Sequence, residues 1–294
     1  MVKVTKKNGY IVYLFVLPAI ILLLLFLIYP AIQSFIKSAS EWDGISKPVY
    51  IGFDNFKDIF NEKGFWLAVK NTFILLPIAV IGTVVLGFLL AVAIERQVKG
   101  WKFFKVAWFI PVMMSPTVVS MLWLRIFDPT YGPLNQILRY LGLGILAQDW
   151  LSNPKIAIYS IGMVIVWQYT GFTMLLLLTA MENIPIEIHD SATLDGINLL
   201  GRIRYIIFPM IRPAFMIVVL LQIISTLKVF DVVWVLTQGG PGQASTVLGV
   251  YLYQTAFTFQ RFGYGSAVAV ILFVVLLIIG LIYLNVTRQK EIYV

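Results

Sequence analysis

The chain has no cysteine and a single histidine, His189. The first absence removes disulfides, thiolate metal sites and thiol nucleophiles. The second leaves any Ser-His-Asp set or histidine metal cluster dependent on one residue, to which no chemistry is assigned, and no metal site is expected. No Gly-x4-Gly-Lys-Ser/Thr sequence occurs, so nucleotide energy, if used, must be supplied by another polypeptide. Repeats of fixed period, low-complexity stretches and heptad seams are missing as well, which excludes solenoids and coiled coils. Charge is scarce: 12% of the 294 residues are Asp, Glu, Lys or Arg, against 60% hydrophobic.

What fills the chain instead is long uncharged sequence, with a mean hydropathy of +0.90. A soluble core of this length cannot hide so much apolar surface. Crossing ~30 Å of hydrocarbon takes about 20 residues, and six regions pass or nearly pass. They run from Asn8 to Gln33 and on to Ile36, from Asn71 to Ile94, from Val106 to Leu124, and from Ile156 to Met181. The fifth starts after Arg212, is uncharged to Leu227 and continues through Lys228 and Asp231 to about Leu236; the sixth fills Phe262 to Thr287. The expected fold class is all-α, a polytopic membrane protein with six transmembrane helices.

Basic residues favour the cytoplasmic side of a span. With both termini inside, Lys3, Lys6, Lys7, Arg96, Lys99, Lys102, Lys105, Arg202, Arg204, Arg212, Arg288 and Lys290 fall in short inner stretches. Outer basic residues such as Lys47 and Lys63 are diluted by Glu41, Asp43, Asp54, Asp58 and Glu62. The formal charge of +8 therefore reads as a topology signal rather than a nucleic-acid footprint. The Lys-rich start followed by an apolar run imitates a secretory signal, but that run is about twice a signal core and Ala31 is followed by Ile32-Gln33, so it reads as uncleaved.

Between the spans, Ser34 to Lys70 mixes aromatics (Trp42, Tyr50, Phe53, Phe56, Phe60) with acids, which suits a folded outer cap. Phe127 to Pro154 alternates apolar and turn residues and fits a short helix across the outer face. Thr237 to Phe262 opens with Gln238-Gly239-Gly240-Pro241-Gly242, where glycines admit sharp bends.

The most informative stretch is Met181 to Pro213, MENIPIEIHDSATLDGINLLGRIRYIIFPMIRP. Pro185 sits where a helix opens, with Glu187 and Asp190 near its positive end. Ile186, Ala192 and Leu194 alternate with polar residues, and Gly196 is a natural stop. A second short helix is predicted from Asn198, carrying Leu199, Leu200, Ile203, Ile206 and Ile207, before Pro209 and Pro213 mark entry into the fifth span. Two short helices at roughly a right angle make either a knob that seats in a groove on a cytoplasmic partner or an interfacial amphipathic hairpin on lipid headgroups.

The order Asp190-Ser191-Ala192, three residues, Gly196, nine residues, Ile206, one residue, Phe208-Pro209 resembles the signature loop of binding-protein-dependent ABC importer permeases, Glu-Ala-Ala, Gly, Ile, Leu-Pro at that spacing. Asp190, Ser191 and Phe208 depart mildly from it. Further segments resemble the sugar branch, which carries maltodextrin-type oligosaccharides and glycerol phosphate: Phe109-Ile110-Pro111, Ser115-Pro116, Asp128 to Asn135, Trp167-Gln168, Lys228-Val229-Phe230-Asp231, Leu236 to Pro241 and Phe262 to Ala267. The resemblance implies a type I importer core over 67–287, with a coupling loop at about 182–210, preceded by an anchoring segment (1–66) and followed by a cytoplasmic tail (288–294). It implies that Glu187, Asp190, Ser191, Ala192, Asp195, Gly196, Ile206 and Pro209 couple to an ATPase, and that Thr237, Gly239, Gly240 and Pro241 face a binding protein. Implied partners are a second, different permease chain, two cytoplasmic ABC ATPases and an extracytoplasmic solute-binding protein in a bacterial inner membrane. ATP and Mg would sit on the ATPase, with no cofactor on this chain.

Lys228 and Asp231 are the strong charges inside a predicted span, at i and i+3 on one expected helix face. They either line the substrate path or form a structural ion pair. Sugar sites combine amides or hydroxyls with aromatic planes, which makes Asn71, Gln168, Tyr169, Gln222, Thr226 and Trp234 candidates beside them, with Ser225. Each is also an ordinary helix-packing residue. A membrane-embedded enzyme is disfavoured, because no acid, base or metal set clusters. An ion-driven transporter would call for more intramembrane carboxylates and inverted repeats.

Overall fold

The computed structural model describes residues 9–95 and 99–287. Several of the basic residues used to predict orientation, Lys3, Lys6, Lys7, Arg96, Arg288 and Lys290, lie outside that range, as does the predicted tail 288–294. The described chain is helical apart from one two-stranded hairpin. It divides into two compact units, Met1–Glu62 with Leu252–Val275, and Lys63–Tyr251 with Leu276–Val294.

In the first unit, α1 (Gly9–Leu23) passes through a π-helical turn, Leu24–Ile28, into α2 (Tyr29–Ser38). This is the first predicted span. The predicted outer cap is folded. Strands β1 (Ser40–Glu41) and β2 (Val49–Tyr50) pair antiparallel, Ser40 opposite Tyr50. Their connection is fixed by Asp43, whose Oδ1 accepts from the Ile45 and Ser46 amides at 2.9 and 2.8 Å. Those backbone donors, with the Ser46 hydroxyl, hold its carboxyl down to about 2, because they bind only the charged form well. Helix α3 (Asp54–Asn61) carries Asn55, whose buried amide donates to both Ser38 O and Ser40 O at 2.9 Å. At the start of α14 (Phe262–Thr287) the Tyr264 hydroxyl donates to Glu62, and Arg261 stacks over the Tyr264 ring at 4.2 Å.

In the second unit, α4 (Lys63–Glu95) and α8 (Ala157–Glu182) form the central packed pair. Lipid supplies no hydrophobic drive between helices, so close fit decides the contact. Gly82 and Gly87 on α4 take Val166 and Thr173 of α8, and Gly162 of α8 takes Ile78. The fourth and sixth spans fall where charge-free runs place them, at α8 and α14. The second begins eight residues earlier, since Lys63 and Lys70 are carried in its first turns.

Three expectations are corrected. The third span is not one straight helix: α5 (Trp101–Met113) and α6 (Pro116–Ile126) meet at 101°. Pro116 disfavours α-conformation at Ser115, which turns to ψ 144 and caps α6 by accepting from Val118 N. Among the described residues, five helices are therefore long and apolar enough to span alone, or six spans are counted with that bent pair as one. The second correction concerns the fifth span. The predicted second short helix is its own beginning: α10 (Leu199–Arg202), a π-helical stretch Ile203–Ile207 and α11 (Phe208–Leu227) run on as one span, Leu199–Leu227. Pro209 and Pro213 do not mark its entry. A proline ring clashes with the carbonyl four residues back, and the wider π turn immediately before Pro209 absorbs that clash. Thirdly, the helix stops at Leu227, short of the predicted Leu236. Lys228 caps α11, and α12 (Asp231–Thr237) is a separate helix after Phe230.

The remaining predicted outer segments are partly helical. Helix α7 (Pro133–Tyr140) lies in the 127–154 segment, anchored by buried Asn135, which donates to Pro129 O and Gln148 O and accepts from Trp150 Nε1. Backbone amides of Tyr131 and Thr130 hold the Asp128 carboxyl below its usual range. The last segment holds α13 (Leu248–Tyr253) and a π turn, Gln254–Thr258, which were not foreseen.

Candidate functional site

The break between α11 and α12 opens a cavity of about 260 Å³. Its polar wall is Tyr169 from α8, Gln222, Ser225 and Thr226 from the end of α11, and Lys228 and Asp231 on either side of the break; Phe230 and Pro116 are among its apolar residues. Gln222 is fixed by donating to Thr173 Oγ1 of α8 at 2.9 Å, and its carbonyl accepts from the Thr226 hydroxyl at 2.8 Å. Phe230 stacks on Trp234, centroids 5.7 Å apart and 21° between planes. An aromatic plane beside an amide, hydroxyls and one charge of each sign forms a small polar set on apolar walls.

Five predicted path residues, Tyr169, Gln222, Thr226, Lys228 and Asp231, meet here. Three others do not line it. Asn71 is buried 172 residues away in sequence from its partner, donating to Gln243 O and Thr246 O at 3.0 Å each. Gln168 is 1% exposed and donates to Met114 O at 3.4 Å, beside the α5–α6 bend. Trp234 packs behind Phe230 among core residues. Of the two alternatives for Lys228 and Asp231, the ion pair is not formed among the described residues, because α11 ends at Leu227 and α12 begins at Asp231, and both line the cavity instead. Phe230 and Pro116 were missed, although both stand in motifs quoted for their resemblance; an aromatic inside Lys228 to Asp231 was the available signal.

The loop at Thr237, Gly239, Gly240 and Pro241 is tied to α4 rather than free. Thr237 Oγ1 meets Ser245 Oγ at 2.7 Å, Thr246 Oγ1 donates to Gly239 O at 3.0 Å, and Leu248 N donates to Thr72 Oγ1 at 2.9 Å. Asn71 thus closes a structural knot. Replacing it with leucine, which nearly matches its shape, is expected to strand two carbonyls in a buried layer at about 1–3 kcal/mol each. Faster amide exchange and proteolysis across 237–248, with α8 still protected, would be the measured outcome; unchanged exchange there would refute the knot.

At the other end of α8 a second arrangement is built. Helix α9 (Ile186–Leu194) begins after Pro185, with Glu187 in its first turn. Its end is a complete Schellman cap: Ile197 N donates to Ala192 O and Gly196 N to Thr193 O, both at 3.1 Å, with Gly196 left-handed at φ +68. This geometry favours glycine. Asn198 then caps the next helix by accepting from Gly201 N at 2.8 Å. Ala192 is buried and turns inward, whereas Glu187, Asp190, Ser191 and Asp195 are exposed. So are the apolar Leu194 (89%) and Leu200 (76%). Of the remaining predicted coupling residues, Ile206 lies in the π turn and Pro209 at the start of α11.

Long apolar helices around a polar-lined helix break, with a capped short helix exposed beside the bundle, define a multi-pass membrane permease. Residues 72–291 match the family described as "Binding-protein-dependent transport system inner membrane component", and the chain belongs to that family. It is similar to a probable ABC transporter permease protein of Pyrococcus horikoshii, 34% identical over 95% of this chain and 96% of that one. A trehalose/maltose transport system permease protein of Thermococcus litoralis is 28% identical over 98% and 97%. Among solved structures, one chain of a bacterial alginate ABC transporter, in complex with a periplasmic protein bound to alginate pentasaccharide, superposes with a TM-score of 0.86. It is 25% identical, covering 96% of this chain and 95% of that one.

Proposed function

We propose that this chain is the translocation subunit of an ATP-driven ABC importer for a sugar, receiving it from an extracytoplasmic binding protein. The observation that carries the reading is the cavity at the α11–α12 break, where Phe230 offers a ring face and Gln222, Ser225, Thr226 and Tyr169 offer hydroxyl partners. Sugar permeases among the relatives support it. In this reading Tyr169, Gln222, Thr226, Lys228 and Asp231 line the path, and α9 docks on an ATPase through its exposed Glu187, Asp190, Ser191 and Asp195, while buried Ala192 seats the helix on its own chain and is not itself a docking contact. The exposed Leu194 and Leu200 then meet an apolar partner groove instead of water. A second, different permease chain completes the passage, two ATPase chains carry ATP and Mg, and both termini face the cytoplasm. Loop 237–241 faces the binding protein; its backbone ties to α4 present it as a rigid platform.

A second reading, an anionic sugar or a glycerol-phosphate-type solute, is favoured by Lys228, which lines the cavity with no ion-pair partner among the described residues. The test is uptake by proteoliposomes containing the chain, its partner permease and its ATPases, supplied with loaded binding protein. Uptake should require both ATP and binding protein; uptake driven by an ion gradient alone would remove the proposal. With Lys228 and Asp231 unpaired, the double variant Lys228→Met, Asp231→Asn should transport no better than the more impaired single variant. Recovery in the double variant would show a functional pair that forms during transport.

A further inference from the structure

His189 stands at the root of α9, 12% exposed, inside a cleft of about 560 Å³ whose ionisable residues are Glu95, Glu182, His189 and Arg202. Arg202 on α10 places Nη2 2.7 Å from His189 Nδ1. A guanidinium can only donate, so Nδ1 must be the acceptor, and the ring proton sits on Nε2 of a neutral imidazole. Glu95, at the end of α4, places Oε1 3.9 Å from the same Nδ1, too long for a hydrogen bond but close enough for a charge to be felt. One ring nitrogen is therefore within reach of both a cation on the helix after α9 and a carboxylate on α4.

We propose that His189 is the positioning residue of the coupling helix: neutral, it ties α9 to α10 through Arg202; protonated, it releases Arg202 and pairs with Glu95, shifting α9 toward α4. A proton added at Nδ1 destroys the acceptor and sets two donors and two like charges face to face. The same proton turns the Glu95 contact into an ion pair. No bond besides N–H is made or broken, and the proton comes from water reaching the open cleft. The other charged groups facing this ring hold the balance without reversing it. Glu182 from α8 is engaged by Lys105 at 3.7 Å, while Glu187, Asp190 and Asp195 on α9 and its cap are exposed to solvent. One proton at Nδ1 decides which partner the ring holds, so the tie answers to the acidity of the solution reaching the cleft. This rests on the reading of α9 as the ATPase-docking helix.

The lack of native cysteine makes the test direct. Spin labels at Leu194→Cys and Leu200→Cys, in the complete assembled transporter, report the distance between α9 and α10. It should change by on the order of 1–2 Å between pH 8 and pH 5.5. His189→Asn, whose Oδ1 keeps an acceptor for Arg202 but takes no proton, should hold the pH 8 distance throughout. His189→Lys should hold the acid distance throughout. A pH response that persists in His189→Asn, or its absence in the unsubstituted chain, overturns the exchange. If pH moves the labels while ATP does not, the exchange stands and the docking reading falls; if ATP moves them and pH does not, the reverse holds.

Discussion

Alanine at Gly171 is expected to lower the thermal midpoint of the detergent-solubilised protein by roughly 10 °C, a loss of about 3 kcal/mol in a chain of this size. The reason is a backbone-on-backbone approach. A Cβ on Gly171 of α8 would lie 1.8 Å from Trp108 O, 2.6 Å from Trp108 C and 3.0 Å from Phe109 Cα of α5. No side-chain rotation relieves a clash with a main-chain carbonyl, so α5 must retreat by roughly 1.5–2 Å to reach van der Waals distance. Overpacking of this kind typically costs about 1–3 kcal/mol, and more where the neighbour is rigid. The effect should spread to the 101° bend, because α5 leads into it and Gln168, three residues before Gly171, holds Met114 O there. Gly280 is the control: a Cβ there meets nothing within 4 Å, so Gly280→Ala should stay within about 0.5 kcal/mol. Equal midpoints for the two variants would show that α5 and α8 are not held in close contact in the membrane.

How much of this could be read in the sequence depends on where the determining force lay. Counting uncharged residues found α4, α8 and α14, because in lipid an unpaired charge is the dominant cost. The cap at Gly196 was legible for a local reason, since a left-handed residue after an amphipathic turn is a glycine position and the two hydrogen bonds that need it lie within six residues. The same local reasoning failed at Pro209 and Pro213. Read alone, two prolines end a helix; a π turn that holds the carbonyl four residues before Pro209 lets it continue, and no composition rule announces that turn. At Ser115-Pro116 the opposite error occurred: the charge-free run was long enough to span, so the break was overlooked although the proline stood in plain view. Asn71 failed for a third reason. A polar residue near a span end looks like a path residue until its partners, 172 and 175 residues away, are known. The Lys228 and Asp231 spacing presumed a continuous helix, and once the helix stops at Leu227 the i,i+3 geometry that motivated the pair no longer applies.

If α9 docks on an ATPase as proposed, valine at Gly196 should leave the protein inserted and folded while reducing uptake per ATP hydrolysed at least about tenfold, since allosteric couplings of 1–3 kcal/mol correspond to about 5–150-fold. A new Cβ at Gly196 meets nothing within 4 Å, so no packing is lost. The cost is confined to the backbone. At φ +68 a left-handed residue with a side chain pays about 1–2 kcal/mol, and a β-branched one more. The cheapest relief is to rotate φ back, which breaks the Ile197-to-Ala192 and Gly196-to-Thr193 bonds and frays the last turn of α9. That turn carries Leu194 and adjoins Asp195, the part most exposed for a partner, whereas buried Ala192 keeps the rest of α9 seated. Membrane insertion, thermal midpoint and basal ATPase of the assembled complex should therefore be close to normal while transport falls. Asparagine tolerates the left-handed region, so Gly196→Asn should retain most coupling, and a graded order of Gly, Asn, Ala and Val is the signature of a backbone effect. A valine variant that transports normally would mean that the shape of this turn is not what the ATPase grips, whereas one that fails to insert would place the requirement in folding instead of coupling.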